Sequence, residues 1–237
     1  AFGVPEGAVL LAALTGCAGT LWFMRTPVIR DWEIRPRGTG GRWGIFAEPG
    51  LLVLFAATLF YSVAFGLYEV GVTAWATKRG IPAAAGIALA LASLGSALGA
   101  FAYGARHWQA SLRKQFLIAL AFMATGSLLV APVDNIYLYM LVNIIAGAPM
   151  ASVIATQSLL LSRLAPQGML AESFTWGGTC LLGGISGGIA LGGVLAETIA
   201  PAWILVSAAG ATGTAALIAM AIPHSQKLDA MGEHYVA

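Results

Sequence analysis

Seven long apolar runs, residues 8–24, 51–77, 82–105, 115–132, 136–162, 173–196 and 202–222, dominate this chain, and all twelve Lys and Arg residues fall outside them. Each run is near the roughly 20 residues that an α-helix needs to cross about 30 Å of hydrocarbon. With 59% hydrophobic and 9% charged residues, there is too little polar surface to solvate a globular exterior, so lipid is the expected outer solvent. The predicted fold class is an all-α integral membrane protein with seven spans. A net charge of +2 points to no particular partner, and no nucleic acid is expected.

The cations are distributed unevenly between the alternating connections. Arg25, Arg30, Arg35, Arg37, Arg42, Arg106, Arg113, Lys114, Arg163 and Lys227 share one side, and Lys78 and Arg79 stand on the other. The crowded side is expected to be cytoplasmic, which puts the N-terminus outside and the tail inside a multi-pass cell-membrane protein. The chain begins at Ala1, and no basic segment with a cleavage site precedes the first run. We therefore expect that start to be a fragment boundary rather than a processed signal peptide. Cys17 and Cys180 lie inside predicted spans and read as structural thiols.

Four stretches follow: a first span over 1–25, a polar connector over 26–50 with its arginines, prolines and glycines, a six-helix region over 51–223, and a tail over 224–237. The remaining connections are short, so the six helices form one bundle.

Glycine placement within the runs is informative, because helices in lipid associate where side chains are small. Gly184, Gly188 and Gly192 recur every four residues on the sixth run, and Gly95 and Gly99 make a similar stripe with Ser96 and Ala92 on the third. Such faces suit static packing and a sliding interface equally. Pro149, in the middle of the fifth run, removes a backbone hydrogen bond and is expected to kink the helix.

One carboxylate lies well inside a span. Glu69 sits past the midpoint of the second run, toward the outer face. An ionised acid there costs several kcal/mol unless it faces a hydrated cavity, is paired, or stays protonated. Each option makes Glu69 a candidate proton-coupling group; the alternatives are a carboxylate that reaches the outer headgroups or hydrogen-bonds a neighbouring helix. Tyr61, Phe65 and Tyr68 fall near one face of the same run, while Asn143, Thr156 and Gln157 interrupt the apolar fifth run. These six are candidates for lining a substrate cavity, and interhelical hydrogen bonding explains the amides equally well. Glu172 opens the sixth run, where an acid suits the positive end of the helix dipole or serves a cytoplasmic gate.

Catalytic constellations are missing. His107, His224 and His234 fall in loop or tail, and no metalloprotease, nucleophile-elbow or phosphate-loop motif occurs. An enzyme is therefore not expected, nor is any cofactor or metal.

Several segments carry a resemblance. They are the Arg-rich connector, Gly66-Leu67-Tyr68-Glu69-Val70, Gly95-Ser96-Ala97-Leu98-Gly99, Tyr103-Gly104-Ala105-Arg106, Ser162-Arg163-Leu164-Ala165-Pro166 and Ala171-Glu172-Ser173-Phe174-Thr175-Trp176. Together they resemble the major facilitator superfamily from its sixth helix to its twelfth, in a bacterial efflux-type member. The segment ending at Arg106 lacks the acidic residue of the family's loop signature, so no salt-bridge gate is carried over, and Arg106 stays only a gate candidate. The resemblance implies two six-helix halves that rock about a central cavity. This chain would supply the C-terminal half plus one helix, its partners being lipid, a small-molecule substrate, a proton and the missing N-terminal half. The second and fifth runs would line the cavity, the glycine-rich third and sixth would lie where the halves meet, and the chain alone would transport nothing.

The rival classes are a seven-helix receptor and a structural membrane protein. A retinal-binding form is disfavoured because all three lysines, Lys78, Lys114 and Lys227, lie outside the spans. The long connector after the first helix also fits a receptor poorly.

Overall fold

The computed structural model describes residues 5–26, 44–106 and 108–223. Most of the polar connector and the whole tail, with Arg30, Arg35, Arg37, Arg42, His107, His224, Lys227 and His234, lie outside the described residues. The chain divides into two compact units, Ala1–Arg37 and Gly38–Ala237.

The first unit holds α1, Pro5–Met24. Threonines inside this helix turn their hydroxyls back on the ladder: Thr20 Oγ1 donates to the Gly16 carbonyl at 2.8 Å. That satisfies a polar group without needing water.

The second unit is entirely helical apart from its turns among the described residues, and six of its segments are long and apolar enough to cross a membrane. It opens with a single 3-10 turn, Gly44–Ala47, which buries Ile45. The first long helix, α2, spans Pro49–Lys78. Proline suits its first position because the missing N–H has no helical partner there. At 30 residues it is about 45 Å long and exceeds the hydrocarbon thickness. It is followed by α3, Ala83–Gly104, and α4, Leu112–Val130. The next span is divided into α5, Ile136–Gly147, and α6, Pro149–Leu164. Then come α7, Leu170–Thr198, and α8, Pro201–Ala219.

The division beside Pro149 follows the expectation drawn from its missing N–H. One backbone donor beyond the break is satisfied from a neighbouring helix: the Ala151 amide donates to Ser96 Oγ of α3 at 3.1 Å. A polar side chain from an adjacent helix thus supports the ladder where proline interrupts it.

The packing has an internal two-fold logic. Spans α2, α3 and α4 make one unit of three, and α5–α6, α7 and α8 make another. The first span of each unit packs most heavily on the second and third spans of the other: α2 on α7 and α8, and α5–α6 on α3 and α4. The two third spans, α4 and α8, meet each other. Exchanging the units reproduces the same pattern. Because each holds an odd number of spans, a chain threading the bilayer takes the second in the opposite sense, the topology expected of an inverted repeat.

Glycines sit at the two equivalent seams. On α3, a methyl group at Gly95 would lie 1.9 Å from the Ile144 carbonyl oxygen of α5, and one at Gly99 would lie 1.9 Å from that of Ala148. The seam is equally tight from the other side, where a methyl group at Gly147 would lie 2.0 Å from the Ala92 carbonyl oxygen. On α7, a methyl group at Gly188 would lie 2.2 Å from the Val63 carbonyl oxygen of α2, one at Gly184 would lie 2.6 Å from that of Leu59, and one at Gly192 would lie 2.8 Å from Val70 Cβ; on α2, one at Gly66 would meet the Ile185 carbonyl of α7. No larger residue fits these positions without separating the helices.

Both stripes are therefore enclosed within the second unit. The faces of α3 and α7 left outward carry large apolar side chains, with Phe101 79% and Leu182 67% exposed, beside the open glycines Gly183 and Gly193 of α7.

Candidate functional site

Tyr61, Phe65 and Tyr68 recur on one face of α2 because steps of three and four residues return to the same side of a helix. That face meets α5 and α6, which run antiparallel to α2. Tyr68 Oη donates to Asn143 Oδ1 of α5 at 2.6 Å, and Asn143 Nδ2 donates to the Tyr139 carbonyl at 2.7 Å. Farther along, Tyr61 Oη makes a long 3.4 Å contact with Gln157 Oε1 of α6. Thr156 turns its hydroxyl to the Ser152 carbonyl at 2.7 Å. None of the six side chains, Tyr61, Phe65, Tyr68, Asn143, Thr156 and Gln157, is more than 6% exposed.

These residues thus form a spine inside the bundle. Beside it, Phe65 and Tyr68 border a void of about 10 Å³, room for a single water molecule and too small for a cargo.

The adjoining face of α2 is different. Glu69 is exposed and lines a groove of about 480 Å³ between α2, α3 and α7, together with Thr73, Thr77 and Lys78 of α2, Leu89 of α3 and Ile189 of α7. This volume lies in the range of small-molecule sites, about 300–1,000 Å³. Glu69, Thr73 and Thr77 share one side of α2 through their four-residue spacing. Both threonine hydroxyls bond backward, Thr73 to the Glu69 carbonyl at 2.8 Å and Thr77 to that of Thr73 at 2.9 Å. Lys78 is drawn away: its ammonium donates to the Ile199 carbonyl at the end of α7 at 2.9 Å, where the helix dipole favours a cation. Nine residues, or about 13.5 Å of helix, separate it from Glu69. The Glu69 carboxylate has no ion-pair partner among the described residues.

An unpaired acid in an apolar groove can hold a proton or a cationic group. No cluster of three metal-binding side chains occurs among the described residues.

At the opposite end of the bundle, Glu172 stands in the first turn of α7. Arg106 follows the end of α3 and places its guanidinium over Trp108, 5.1 Å from the ring centroid.

One arrangement was not anticipated from the sequence. Trp75 stacks on Tyr139 with centroids 3.7 Å apart and planes 7° from parallel, and its Nε1 donates to the Val133 carbonyl at 3.1 Å. Arg79 covers the other face of Trp75 at 4.2 Å and pairs with Asp134. This clamp ties the end of α2 to the α4–α5 turn. The signal that could have found it is Asp134, an acid in the α4–α5 turn that a cation at the end of α2 can reach.

No family model, curated protein or solved structure matches the chain.

Proposed function

We propose that this chain forms the C-terminal half, with one preceding helix, of a secondary transporter of the major facilitator type in the cytoplasmic membrane. The matching packing of two three-span units is the observation that carries the reading, because secondary transporters are commonly built from inverted repeats and move by rocking rigid units about a site between them. The tight glycine seams support it by making the six spans one stiff body.

In this reading the central cavity lies against the groove of α2, α3 and α7, with Glu69 as the proton-coupling group. A deprotonated Glu69 attracts a cationic, amphipathic cargo, and protonation from the outer side releases it. The buried spine of Tyr61, Tyr68, Asn143 and Gln157 holds α2 against α5–α6 while the groove opens and closes. The cation-rich connections face the cytoplasm, the N-terminus lies outside, and cargo leaves the cell in exchange for protons.

The test uses inverted membrane vesicles that carry the whole gene product and an imposed pH gradient. A panel of lipophilic cations should dissipate the gradient for at least one member, Glu69→Gln should abolish the response, and vesicles with residues 1–237 alone should show none. A panel without any response, or a response unchanged in Glu69→Gln, would overturn the proposal.

A further inference from the structure

A second groove, of about 530 Å³, lies between α3, α4 and the α5–α6 break, away from Glu69. Its long wall is apolar, with Ile118, Phe122 and Leu129 of α4 and Ile145 of α5 facing Ala102 and Gly99 of α3. Phe122 is 66% exposed, so the groove is open along its side, as a site filled from the lipid phase has to be.

Its mouth is polar and built. Trp108 Nε1 donates to the Tyr103 carbonyl at 2.9 Å, Tyr103 Oη reaches Gln115 Oε1, and Gln115 Nε2 donates to the Ala110 carbonyl at 2.6 Å. This chain of bonds fixes the aromatic rim on which the Arg106 guanidinium rests. Tyr and Trp in this setting mark the headgroup level of a bilayer.

Charge selects the occupant. The connection from Ala105 to Lys114 holds Arg106, Arg113 and Lys114 and no acid, and no carboxylate lines the groove. Of these three, Arg106 lines the groove, and the Arg113 guanidinium is engaged by the Met220 carbonyl. A fixed apolar slot that ends in a guanidinium with no carboxylate partner among the described residues complements a molecule with a long acyl chain and an anionic phosphate. Basic pockets between spans recognise anionic lipid headgroups in this way.

We propose that this groove is a specific site for one anionic glycerophospholipid, whose phosphate rests on Arg106 and whose acyl chain runs along Phe122 and Leu129 toward the break at Pro149. The proposal does not depend on the transport reading. Its consequence is structural: a chain in this slot wedges the seam at which α5 gives way to α6.

The experiment is native mass spectrometry of the full chain in detergent, titrated with phosphatidylglycerol or phosphatidylcholine of identical chains. One phosphatidylglycerol should remain bound about tenfold more tightly than phosphatidylcholine. Arg106→Gln should erase that preference, Arg106→Lys should keep most of it, and Thr125→Phe, on the exposed groove wall, should weaken both lipids. Glycerol phosphate without acyl chains should not compete. Unchanged discrimination in Arg106→Gln, binding indifferent to Thr125→Phe, or full competition by glycerol phosphate would each overturn the assignment. Melting of each lipid-free variant separates these outcomes from misfolding.

Discussion

Gly99 of α3 and Ala148, at the break between α5 and α6, approach so closely that a methyl group on the glycine would lie 1.9 Å from the Ala148 carbonyl oxygen. The obstacle is backbone, which cannot rotate aside as a side chain does. Gly99→Ala should therefore force the two helices apart and cost about 1–3 kcal/mol. Gly183→Ala, on the open side of α7 with nothing within 4 Å, should be neutral or slightly stabilising through helix propensity. Thermal unfolding of both variants in the same detergent checks the contrast; equal effects would mean that the seam is looser than described.

The Tyr68–Asn143 bond links α2 to α5 between two buried side chains. Tyr68→Phe should cost about 1 kcal/mol, the range of interhelical hydrogen bonds in lipid. Asn143→Ala, which also leaves the Tyr68 hydroxyl without its acceptor, should cost more. A double-mutant cycle read by unfolding should give a coupling distinct from zero, and strict additivity would show that the pair does not interact.

Ser96 stands in for a missing rung of the α5–α6 ladder by accepting from the Ala151 amide. Ser96→Ala should leave that amide unpaired and destabilise by about 1–3 kcal/mol. Amide exchange at Ala151 should then rise while exchange in α8 stays unchanged. Unaltered protection at Ala151 would show that the serine is not its partner.

At the end of α2, the two components of the Arg79 clamp should differ in weight. Asp134 is 91% exposed, so Asp134→Asn should change stability by no more than about 0.5 kcal/mol. Trp75→Ala removes a buried stacked ring and should cost about 3–5 kcal/mol. Comparable losses in melting would contradict this ranking.

Much of this architecture was readable because lipid leaves a chain few choices. The apolar runs located the six long segments of the second unit, since a helix that satisfies its own backbone is one of the few structures that can cross hydrocarbon. The missing N–H of Pro149 foretold the break beside it. Boundaries were less legible: α2 begins at Pro49 and is preceded by the turn at Gly44–Ala47, although these residues lie in a polar stretch, because burial of Ile45 is a tertiary effect. The four-residue spacing of Gly184, Gly188 and Gly192 identified a smooth face but not its partner, α2, since periodicity orients a helix without naming its neighbour. For the same reason Tyr68 and Asn143 were visible as polar residues but not as a bonded pair. Glu69 stood out by depth alone; the groove in front of it depends on α3 and α7, whose approach to α2 no local pattern encodes.

The central claim is that two three-span units cross the bilayer in opposite senses, and single-cysteine labelling in intact cells tests it most directly. With Cys17 and Cys180 replaced, cysteines at Gly80, Asp134 and Ala200 should react with an impermeant maleimide from outside. Cysteines at Ala110 and Gln167 should react only after the membrane is opened. Labelling of all five from one side, or a polypeptide that stays soluble without detergent, would contradict the account.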